Sequence, residues 1–517
     1  MKFVLMILGL SMCIQTQAKT FLNPPEIIPF GSEHYQSLET RKFQGISSIA
    51  VTDMGTVWAV WYAGPTPGED KNNYVVVSRS DDDGNSWQEQ FEIDPDGPGD
   101  IRAFDPEVWV DPQGRLWVFW AQHPASDRLN PHSGVWALVT DDADSIKVNW
   151  SKPRRITEGI MMCKPTVLSD GKWLLPPSTW RGTDYSARAV VSPDSGLSFD
   201  VVGACDIQPK DQRDFDEHIF VEKQDGTIWM LVRTKYGIGE SFSYDKGLTW
   251  SELKQSTIKH PAARFFIRRL SSGNLLLVKH GKIDEKIGRS HLMAFISEDD
   301  GKSWRGGLLI DERKGVSYPD GQQTPDGTIY ITYDYSRKDE KEIYMATFTE
   351  DDAAAGKDVS DKVRLNVLIS EGAPDALADN KDGQPFEFEP AGKFVSEKGE
   401  VKLFKEGEKL FSDRSYTANK IPAQLDGMIL LQVDIDGTKS VQCISDGMLY
   451  FLTPQPLRND DSQSDELEKL GFKKVAMPEF PLFNPPKTSN YCTLYQKKCN
   501  KGEIITFGKW AVPLFAD

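Results

Sequence analysis

Residues 80–87 read Ser-Asp-Asp-Asp-Gly-Asn-Ser-Trp, and three later segments repeat this framework of Ser, Asp, Gly and an aromatic residue: Ser192–Phe199, Ser243–Trp250 and Ser297–Trp304. In a tight hairpin turn, Ser and Asp side chains accept backbone N–H bonds and Gly adopts a positive φ. The aromatic ring then packs back over the turn. The octapeptide therefore predicts a structural turn on the outer rim of the fold, without a catalytic role.

The spacing of these turns indicates a repeat. They begin at residues 80, 192, 243 and 297, so the intervals are 112, 51 and 54 residues and the first equals about two periods. Degenerate copies are expected inside the long interval and after the fourth turn, where the chain has Thr140–Asp144 and Thr349–Asp351. Six periods result.

Apolar segments that follow a glycine lie between the turns, such as residues 55–61 and 226–232. One such hairpin in each period makes the period a four-stranded antiparallel sheet, which is the blade of a propeller. An open array of β-sandwiches would not explain a turn that returns at a fixed period. The sequence thus predicts an all-β chain with a six-bladed β-propeller at residues 35–350.

The rest of the chain predicts further parts. Residues 351–385 are polar and are predicted to form a connector with a short helix. Residues 386–517 lack the period but contain alternating apolar segments, which predicts a smaller β-rich C-terminal domain. Residues 1–18 have the charge, apolar core and small-residue exit of a secretory signal peptide.

A signal peptide predicts a secreted protein, either periplasmic or extracellular. Lipid anchoring at Cys13 is the less favoured alternative, because Met12 is bulkier than the residue such a site normally has. No later apolar stretch is long enough to span a bilayer. Of the five cysteines that follow, Cys492 and Cys499 are candidates for a local disulfide, and buried free thiols are the alternative.

The formal net charge of −17 argues against nucleic acid and anionic membranes as partners. An anionic substrate would have to be held by a local cluster of Arg side chains against the overall field. The motifs call for no metal and no organic cofactor.

The repeated turns resemble the Asp-boxes of sialidases and of their bacterial-neuraminidase-repeat relatives, and the similarity covers roughly residues 40–350. The resemblance is to propellers of the sialidase type and to glycoside hydrolase family 33. Asp-boxes also occur in propellers with unrelated activities, so each candidate position is matched separately.

In this family a neutral Tyr attacks the anomeric carbon with the help of a Glu, since a carboxylate nucleophile would be repelled by the carboxylate of the sugar. The resemblance implies that Tyr318, before a Gly-turn hairpin, is the nucleophile and that Glu217 is its base. The family's acid lies on a loop before the first box. That implies Asp70 as the acid/base group, with Glu69 as the less favoured stand-in.

The family also holds the sugar carboxylate between three Arg side chains. Arg233, sixteen residues after Glu217, and Arg289, eight residues before an Asp-box, match two of them. The third is absent, because Gln44 or Gly45 occupies the position of the family's first Arg.

Asp334 stands where the family often has a Glu that supports the first Arg, and Gln44 and Asp334 are therefore counted among the substrate-binding candidates. Arg337 and Arg102 are candidates to fill the vacancy.

The resemblance implies a secreted exo-glycosidase that releases a terminal acidic sugar, sialic acid, from glycans with retention. Because one Arg is missing, a propeller glycosidase or lyase acting on polysaccharide that contains uronic acid or rhamnose is an alternative. A non-catalytic carbohydrate-binding propeller is another. The oligomeric state is not indicated by the sequence.

Overall fold

A computed structural model describes residues 20–373, 393–396, 399–419, 421–422, 425–454, 462–475, 480–482 and 491–515. The predicted signal peptide and Cys13 lie outside these residues, as do residues 374–385 of the predicted connector. Within the described part of the chain, no helix is long and apolar enough to cross a membrane. Two compact units are present, Met1–Ala373 and Pro374–Asp517.

Six antiparallel sheets follow one another along the first unit. Each has four strands in chain order, and the first sheet has an additional edge strand, β1. The strands of the first three sheets are β1 (Glu26–Pro29), β2 (Phe43–Val51), β3 (Val57–Gly64), β4 (Tyr74–Ser80) and β5 (Gln88–Asp94); β6 (Ile101–Val110), β7 (Leu116–Pro124), β8 (Gly134–Thr140) and β9 (Arg154–Glu158); β10 (Thr166–Val167), β11 (Trp173–Leu175), β12 (Ala187–Ser192) and β13 (Asp200–Cys205).

The strands of the next three sheets are β14 (Arg213–Glu222), β15 (Ile228–Thr234), β16 (Gly237–Ser243) and β17 (Lys254–Gln255); β18 (Phe266–Arg269), β19 (Leu275–His280), β20 (Leu292–Ser297) and β21 (Arg305–Asp311); β22 (Val316–Gln323), β23 (Thr328–Tyr335), β24 (Glu342–Thr349) and β25 (Arg364–Glu371). The single helix of this unit, apart from short 3-10 turns in its described residues, is α1 (Glu350–Ala355). The prediction of an all-β chain with four-stranded sheets is confirmed.

The repeated octapeptides join the third strand of a sheet to the fourth and share one hydrogen-bond pattern. In the first, the Ser80 hydroxyl accepts from the Gly84 N–H at 2.8 Å and donates to Asp82 at 2.8 Å. Asp82 also accepts from the Ser86 N–H at 2.8 Å. The same bonds recur in the other three copies.

The glycines of three octapeptides, Gly84, Gly196 and Gly301, pack closely against a neighbouring sheet. A Cβ added to Gly196 would lie 2.7 Å from Trp117 of the second sheet, and one added to Gly301 would lie 2.6 Å from Trp229 of the fourth. A Cβ on Gly84, in the first sheet, would lie 2.3 Å from Met345 in the sixth. The turns therefore fasten successive sheets together, including the first to the last.

The two degenerate copies of the octapeptide, at Thr140 and at Thr349, have different structures. Thr140 donates to Asp142 at 2.5 Å, so the first keeps part of the pattern around a longer turn. At the second, the prediction of Thr349–Asp351 as a turn is wrong, because Thr349 instead caps α1. Its hydroxyl accepts from the Asp352 N–H, and the Asp352 carboxylate accepts in return from the Thr349 N–H at 2.8 Å. This reciprocal capping box starts a helix where the other repeats turn.

The sheets extend beyond the predicted limits of 35 and 350. At the start, β1 pairs with β5. At the end, β25 pairs with β24 and lies inside the segment 351–385 that was predicted as a connector. Both are edge strands, and β1 precedes the first repeated octapeptide while β25 follows the last, so the period does not include them.

The first strand of a sheet carries a bulge in four of the six cases, β2, β6, β14 and β22. Pairing with the second strand is interrupted there. At each bulge a residue other than glycine has a positive φ, and such strained positions are common next to functional sites. These residues are Ile46, Asp105, Glu217 and Tyr318, with φ of 57°, 48°, 42° and 53°.

A buried polar cluster lies two residues beyond three of these bulges. Arg264 Nη2 is 2.7 Å from Glu107 and 3.3 Å from Asp320, and Lys164 is paired with Asp320. The Ser48 hydroxyl lies 2.9 Å from Glu107. These side chains are at most 2% exposed. Ser48, Glu107 and Asp320 lie on the first strands β2, β6 and β22, and Lys164 and Arg264 lie just before β10 and β18, so the cluster joins these segments.

The second unit is also built of strands. One sheet has the order β26-β29-β34, and another has the order β27-β28-β35-β30-β33-β31 with β32 beside β33. The elements are β26 (Phe394–Val395), β27 (Glu400–Leu403), β28 (Ile429–Gln432), β29 (Lys439–Cys443), β30 (Gly447–Pro454), α2 (Ser464–Lys469), β31 (Lys473–Lys474), β32 (Phe480–Pro481), β33 (Tyr491–Cys499), β34 (Ile504–Phe507) and β35 (Val512–Phe515).

The disulfide alternative for the cysteines is wrong. Cys492 and Cys499 lie near opposite ends of the single strand β33, and seven residues of extended chain span roughly 23 Å. A disulfide requires Cα atoms within about 7 Å of each other. In the described residues the five cysteines are buried, and none is joined to another.

Candidate functional site

Tyr318 lies at the bulge of β22 and is only 5% exposed. Its hydroxyl donates to Glu217 at 3.4 Å and accepts from Arg233 Nη1 at 3.1 Å. Glu217 is itself at the bulge of β14, so two strained backbone positions bring the phenol and the carboxylate together. The sequence candidates Tyr318, Glu217 and Arg233 thus form one contact network.

Arg233 reaches this network from the end of β15. Its Nη1 is 2.5 Å from Glu217 Oε1, and its Nη2 is 2.9 Å from Asp214. Both partners in the first pair are at least 94% buried. The other carboxylate oxygen of Glu217, Oε2, is buried without a hydrogen-bond partner in the described part of the chain. Glu217 therefore has an acceptor oxygen that is free to take a proton.

Two further guanidinium groups flank the Tyr318 ring. The guanidinium carbon of Arg289 is 5.3 Å from the ring centroid, and that of Arg337 is 5.0 Å from it. Arg289 also donates to the Ser317 hydroxyl at 2.9 Å. Three cations therefore surround one phenol in a chain of net charge −17.

Gly45 provides the space for Arg337. A Cβ added to Gly45 would lie 2.2 Å from Arg337 Cδ and 2.3 Å from its Cγ. The stem of Arg337 thus occupies the place where any larger residue at position 45 would put its side chain. Arg337, two residues after the end of β23, therefore packs its side chain against Gly45.

Asp334 holds this region in place. Its Oδ2 accepts from the Ile46 N–H at 2.7 Å and lies 3.8 Å from Arg337 Nε. Burial raises the pKa of Asp334 to about 6, although Arg337 and the Ile46 N–H oppose that shift. Asp334 therefore lies beside Arg337, and its contacts are with other groups of the protein.

Burial also shifts the pKa of Tyr318. Removal from water, together with the Glu217 carboxylate, raises the pKa of Tyr318 above its ordinary value, against the opposing effect of the three guanidinium groups. The phenol is therefore protonated at neutral pH. Any nucleophilic role requires a base, and Glu217 is the carboxylate in contact with it.

The two loop carboxylates have different surroundings. Asp70 accepts from the Thr66 hydroxyl at 2.5 Å and from the Asn72 N–H at 2.8 Å, so its carboxylate shapes the loop. Glu69 instead lies 3.1 Å from Arg337 Nη1 with a third of its side chain exposed. The structure brings Glu69, and not the carboxylate of Asp70, to the guanidinium groups of the site.

Gln44 faces away from these groups. Its amide donates to the Lys341 carbonyl at 2.6 Å and accepts from the Trp61 indole at 3.1 Å. Since neighbouring residues of a strand point to opposite faces, Gly45 faces Arg337 and Gln44 does not. The prediction of Gln44 as a substrate-binding residue is not supported by its position.

Asp105 was not expected at the site from the sequence, and Arg102 was expected only as a candidate for the vacant Arg position. Asp105 is at the bulge of β6, and burial raises its pKa well above the ordinary value. Arg102 is 2% exposed, and its Nε and Nη2 have no hydrogen-bond partner in the described residues. One available signal was the pattern X-Pro-acid, found at both Asp105-Pro106-Glu107 and Tyr318-Pro319-Asp320, because Pro inside a strand is typical of a bulge.

Comparisons with known proteins agree with this fold. A family described as the BNR repeat-like domain matches residues 55–331. A protein of Bacteroides fragilis (strain YCH46) named "Sialidase" is 24% identical over 337 residues, which are 56% of this chain and 60% of the relative. This chain therefore spans about three fifths of the length of that curated relative.

Solved structures are similar at lower identity. The intramolecular trans-sialidase from Ruminococcus gnavus, in complex with oseltamivir carboxylate, is 14% identical with a TM-score of 0.50, and the match covers 63% of this chain and 99% of that one. The Hadza microbial sialidase Hz136 is 19% identical with a TM-score of 0.49, covering 60% and 66%. The match to the Ruminococcus gnavus protein bears on the fold alone.

The repeated turns, the four-stranded sheets and the family match over more than half of the chain lead to one conclusion. The chain belongs to the BNR repeat-like family of the sialidase superfamily.

Proposed function

We propose that this protein is an exo-sialidase, a retaining glycosidase that releases terminal sialic acid from glycans. The observation that supports it is the Tyr318 hydroxyl, 3.4 Å from Glu217 and 3.1 Å from Arg233, with Arg289 and Arg337 over its ring. A buried phenol beside a carboxylate base and three cations suits a nucleophile for an anionic sugar.

Arg233, Arg289 and Arg337 form the proposed carboxylate clamp. A planar guanidinium binds a carboxylate through two parallel N–H bonds, so each of the three is chemically suited to the role. Arg337 enters the clamp over Gly45 and completes it without an Arg on β2. The proposed substrate is therefore a sialylated glycan with its carboxylate held above Tyr318.

The proposed reaction has two steps. The Tyr318 oxygen attacks the anomeric carbon while its proton passes to Glu217, and the glycosidic bond breaks as its oxygen takes a proton from a second carboxyl group. Water then attacks the same carbon and gives a proton to that second carboxylate, and the Tyr318 oxygen leaves and recovers its proton from Glu217. Two displacements at one carbon give retention. The neutral phenol approaches the anionic sugar without the repulsion that a carboxylate would meet.

The finer architecture is part of the same proposal. We take the six sheets as the six blades of one propeller, supported by the contacts of β2 with both β6 and β22 and by the packing of Gly84 against Met345. The signal peptide at residues 1–18, secretion, and a separate C-terminal domain from residue 386 remain predictions from the sequence.

The test is hydrolysis of 4-methylumbelliferyl sialic acid and of sialyllactose by the full chain. We expect turnover, with Tyr318→Phe losing roughly 10³-fold in kcat and Glu217→Gln roughly 10²- to 10⁴-fold. Tyr244→Phe is the matched control, because Tyr244 is 80% exposed on a turn. NMR of the first-formed sugar should show the retained anomer.

Four results would contradict the proposal. A wild-type protein inert to both substrates, under conditions where a control sialidase cleaves them, would remove the activity. An unsaturated product that absorbs in the ultraviolet would indicate a lyase. Unchanged turnover in Tyr318→Phe and Glu217→Gln would show that these residues do not catalyse, and binding of glycans without turnover would indicate a carbohydrate-binding propeller.

A further inference from the structure

The carboxyl groups near Tyr318 are not equally available for protonating a leaving group. Glu217 contacts both Tyr318 and Arg233 and serves as the proposed base. Asp334 is fully buried beneath Arg337. Both oxygens of Asp70 are bonded inside its own loop, by Thr66 and by Asn72. Asp105 is only 3% exposed, and Asp214 is paired with Arg233 at 2.9 Å. Glu69 has the most exposed side chain of these carboxylates, at one third, and lies 3.1 Å from Arg337.

The present partner of Glu69 is also a proposed ligand of the substrate. Arg337 Nη1 lies 3.1 Å from Glu69, and the same guanidinium is 5.0 Å from the Tyr318 ring centroid. Arg337 is 21% exposed, so its free edge is open to an incoming anion. A carboxylate bound by Arg337 must therefore share or replace the ion pair with Glu69.

Resting on the proposed function, we propose that Glu69 is the residue that protonates the departing glycosidic oxygen. In this proposal the substrate's carboxylate replaces Glu69 as the partner of Arg337, and Glu69 then becomes protonated. In the free protein, burial would raise the pKa of Glu69, but Arg337 and Arg102 outweigh it and hold that pKa below the ordinary value. Binding of the anion removes the stabilising cation and adds a negative charge nearby. Both changes favour the protonated carboxyl.

Each proton in the proposed reaction has a donor and an acceptor. The Glu69 proton, taken up from water on binding, moves to the glycosidic oxygen as the bond to the anomeric carbon breaks, and the aglycone leaves as a neutral alcohol. The Tyr318 oxygen takes the place of the leaving group. In the second step the attacking water gives a proton back to the Glu69 carboxylate. An ionised Glu69 in the empty site would be inactive, so the acid exists only when an anionic sugar is bound.

The test compares leaving groups. An aglycone such as 4-methylumbelliferone departs with little help, whereas the sugar alcohol of sialyllactose requires an acid. We expect Glu69→Gln to lower kcat/KM for sialyllactose by roughly 10²-fold or more, and to lower it for the 4-methylumbelliferyl substrate by under about tenfold. Asp70→Asn is the matched variant on the neighbouring residue, and it should affect both substrates equally.

A binding measurement tests the protonation of Glu69 on substrate binding, without turnover. Titration calorimetry of the 2,3-didehydro analogue of sialic acid, in buffers of different ionisation enthalpy at about pH 5.5, measures proton uptake. Wild type and Asp70→Asn should take up close to one proton on binding, and Glu69→Gln should take up much less.

The outcomes separate the two proposals. Selective loss on sialyllactose in Asp70→Asn, equal loss on both substrates in Glu69→Gln, or unchanged proton uptake in Glu69→Gln would overturn the role of Glu69. A wild-type protein that cleaves neither substrate and does not bind the analogue would overturn the proposed function itself.

Discussion

Tyr318 is a buried phenol, and the low polarity around it disfavours the phenolate. The guanidinium groups of Arg289 and Arg337 partly offset that effect from above the ring. Their positions depend on small contacts: Arg289 on the Ser317 hydroxyl, and Arg337 on the absence of a side chain at Gly45. The chemistry of the site therefore depends on one residue that contributes no side chain.

At this scale we predict that Gly45→Ala weakens binding of an anionic sugar. The new methyl group would lie 2.2 Å from Arg337 Cδ, so the guanidinium must move away from Tyr318. Loss of one charge-assisted contact corresponds to a rise in KM of roughly 10- to 100-fold. Michaelis–Menten kinetics on the 4-methylumbelliferyl substrate would measure it.

Gly68→Ala is the control for this substitution, because a Cβ there meets nothing within 4 Å. It should leave KM close to that of the wild type. An unchanged KM in Gly45→Ala would mean that Arg337 does not bind the substrate.

The first strands of the sheets carry the candidate site, and the turns between the third and fourth strands join neighbouring sheets. Bulges on the first strands place Tyr318, Glu217 and Asp105 at the site, and the octapeptide turns fasten the sheets at the third and fourth strands. Two residues past the bulges of β6 and β22, Glu107 and Asp320 join the buried cluster with Arg264. The same strands therefore carry the site and the cluster that supports it.

At this scale we predict that Gly196→Ala destabilises the protein more than Gly226→Ala. Both glycines have a positive φ, of 85° and 83°, so the backbone strain is matched. A Cβ on Gly196 would lie 2.7 Å from both Trp117 and Trp173, whereas one on Gly226 would meet nothing within 4 Å. Overpacking against buried rings should cost about 1–3 kcal/mol more in free energy of unfolding.

Urea denaturation followed by tryptophan fluorescence measures the difference, since the midpoint falls with stability. Equal midpoints for the two variants would show that the turn glycine does not hold neighbouring sheets together.

Across the whole molecule, every residue of the candidate site lies in the first compact unit, between Gly45 and Arg337. The buried apolar clusters of the described residues also belong to one unit or the other. Those of the second unit contain only residues from Phe394 onward. Each unit therefore has a core of its own.

At this scale we predict that residues 20–373 fold and react without the rest of the chain. A unit with its own core is expected to unfold cooperatively, and kcat on the 4-methylumbelliferyl substrate should stay within about twofold of the full chain. Urea denaturation and steady-state kinetics of both proteins provide the comparison. A fragment that is unfolded, or folded but inactive, would show that the second unit is needed.

The sequence alone determined the repeat and the four-stranded sheets, which depend on local hydrogen bonds inside an octapeptide and on strand alternation. The pairing of Tyr318 with Glu217, which lie on different sheets, was implied by the family resemblance. The sequence placed the edge strands β1 and β25 outside the sheets, because β1 precedes the first repeated turn and β25 follows the last. The prediction of Thr349–Asp351 as a turn was wrong, because a capping box and the octapeptide turn use the same residue types.

Only the tertiary structure decided which side chains face the site. Arg337 fills the space above Gly45 although the two residues are 292 positions apart, and Glu69, rather than its neighbour Asp70, meets that guanidinium. Gln44 and Gly45 point to opposite faces because neighbouring residues of a strand alternate, and the register of β2 decides which of them faces the site. The composition of the segment does not record that register.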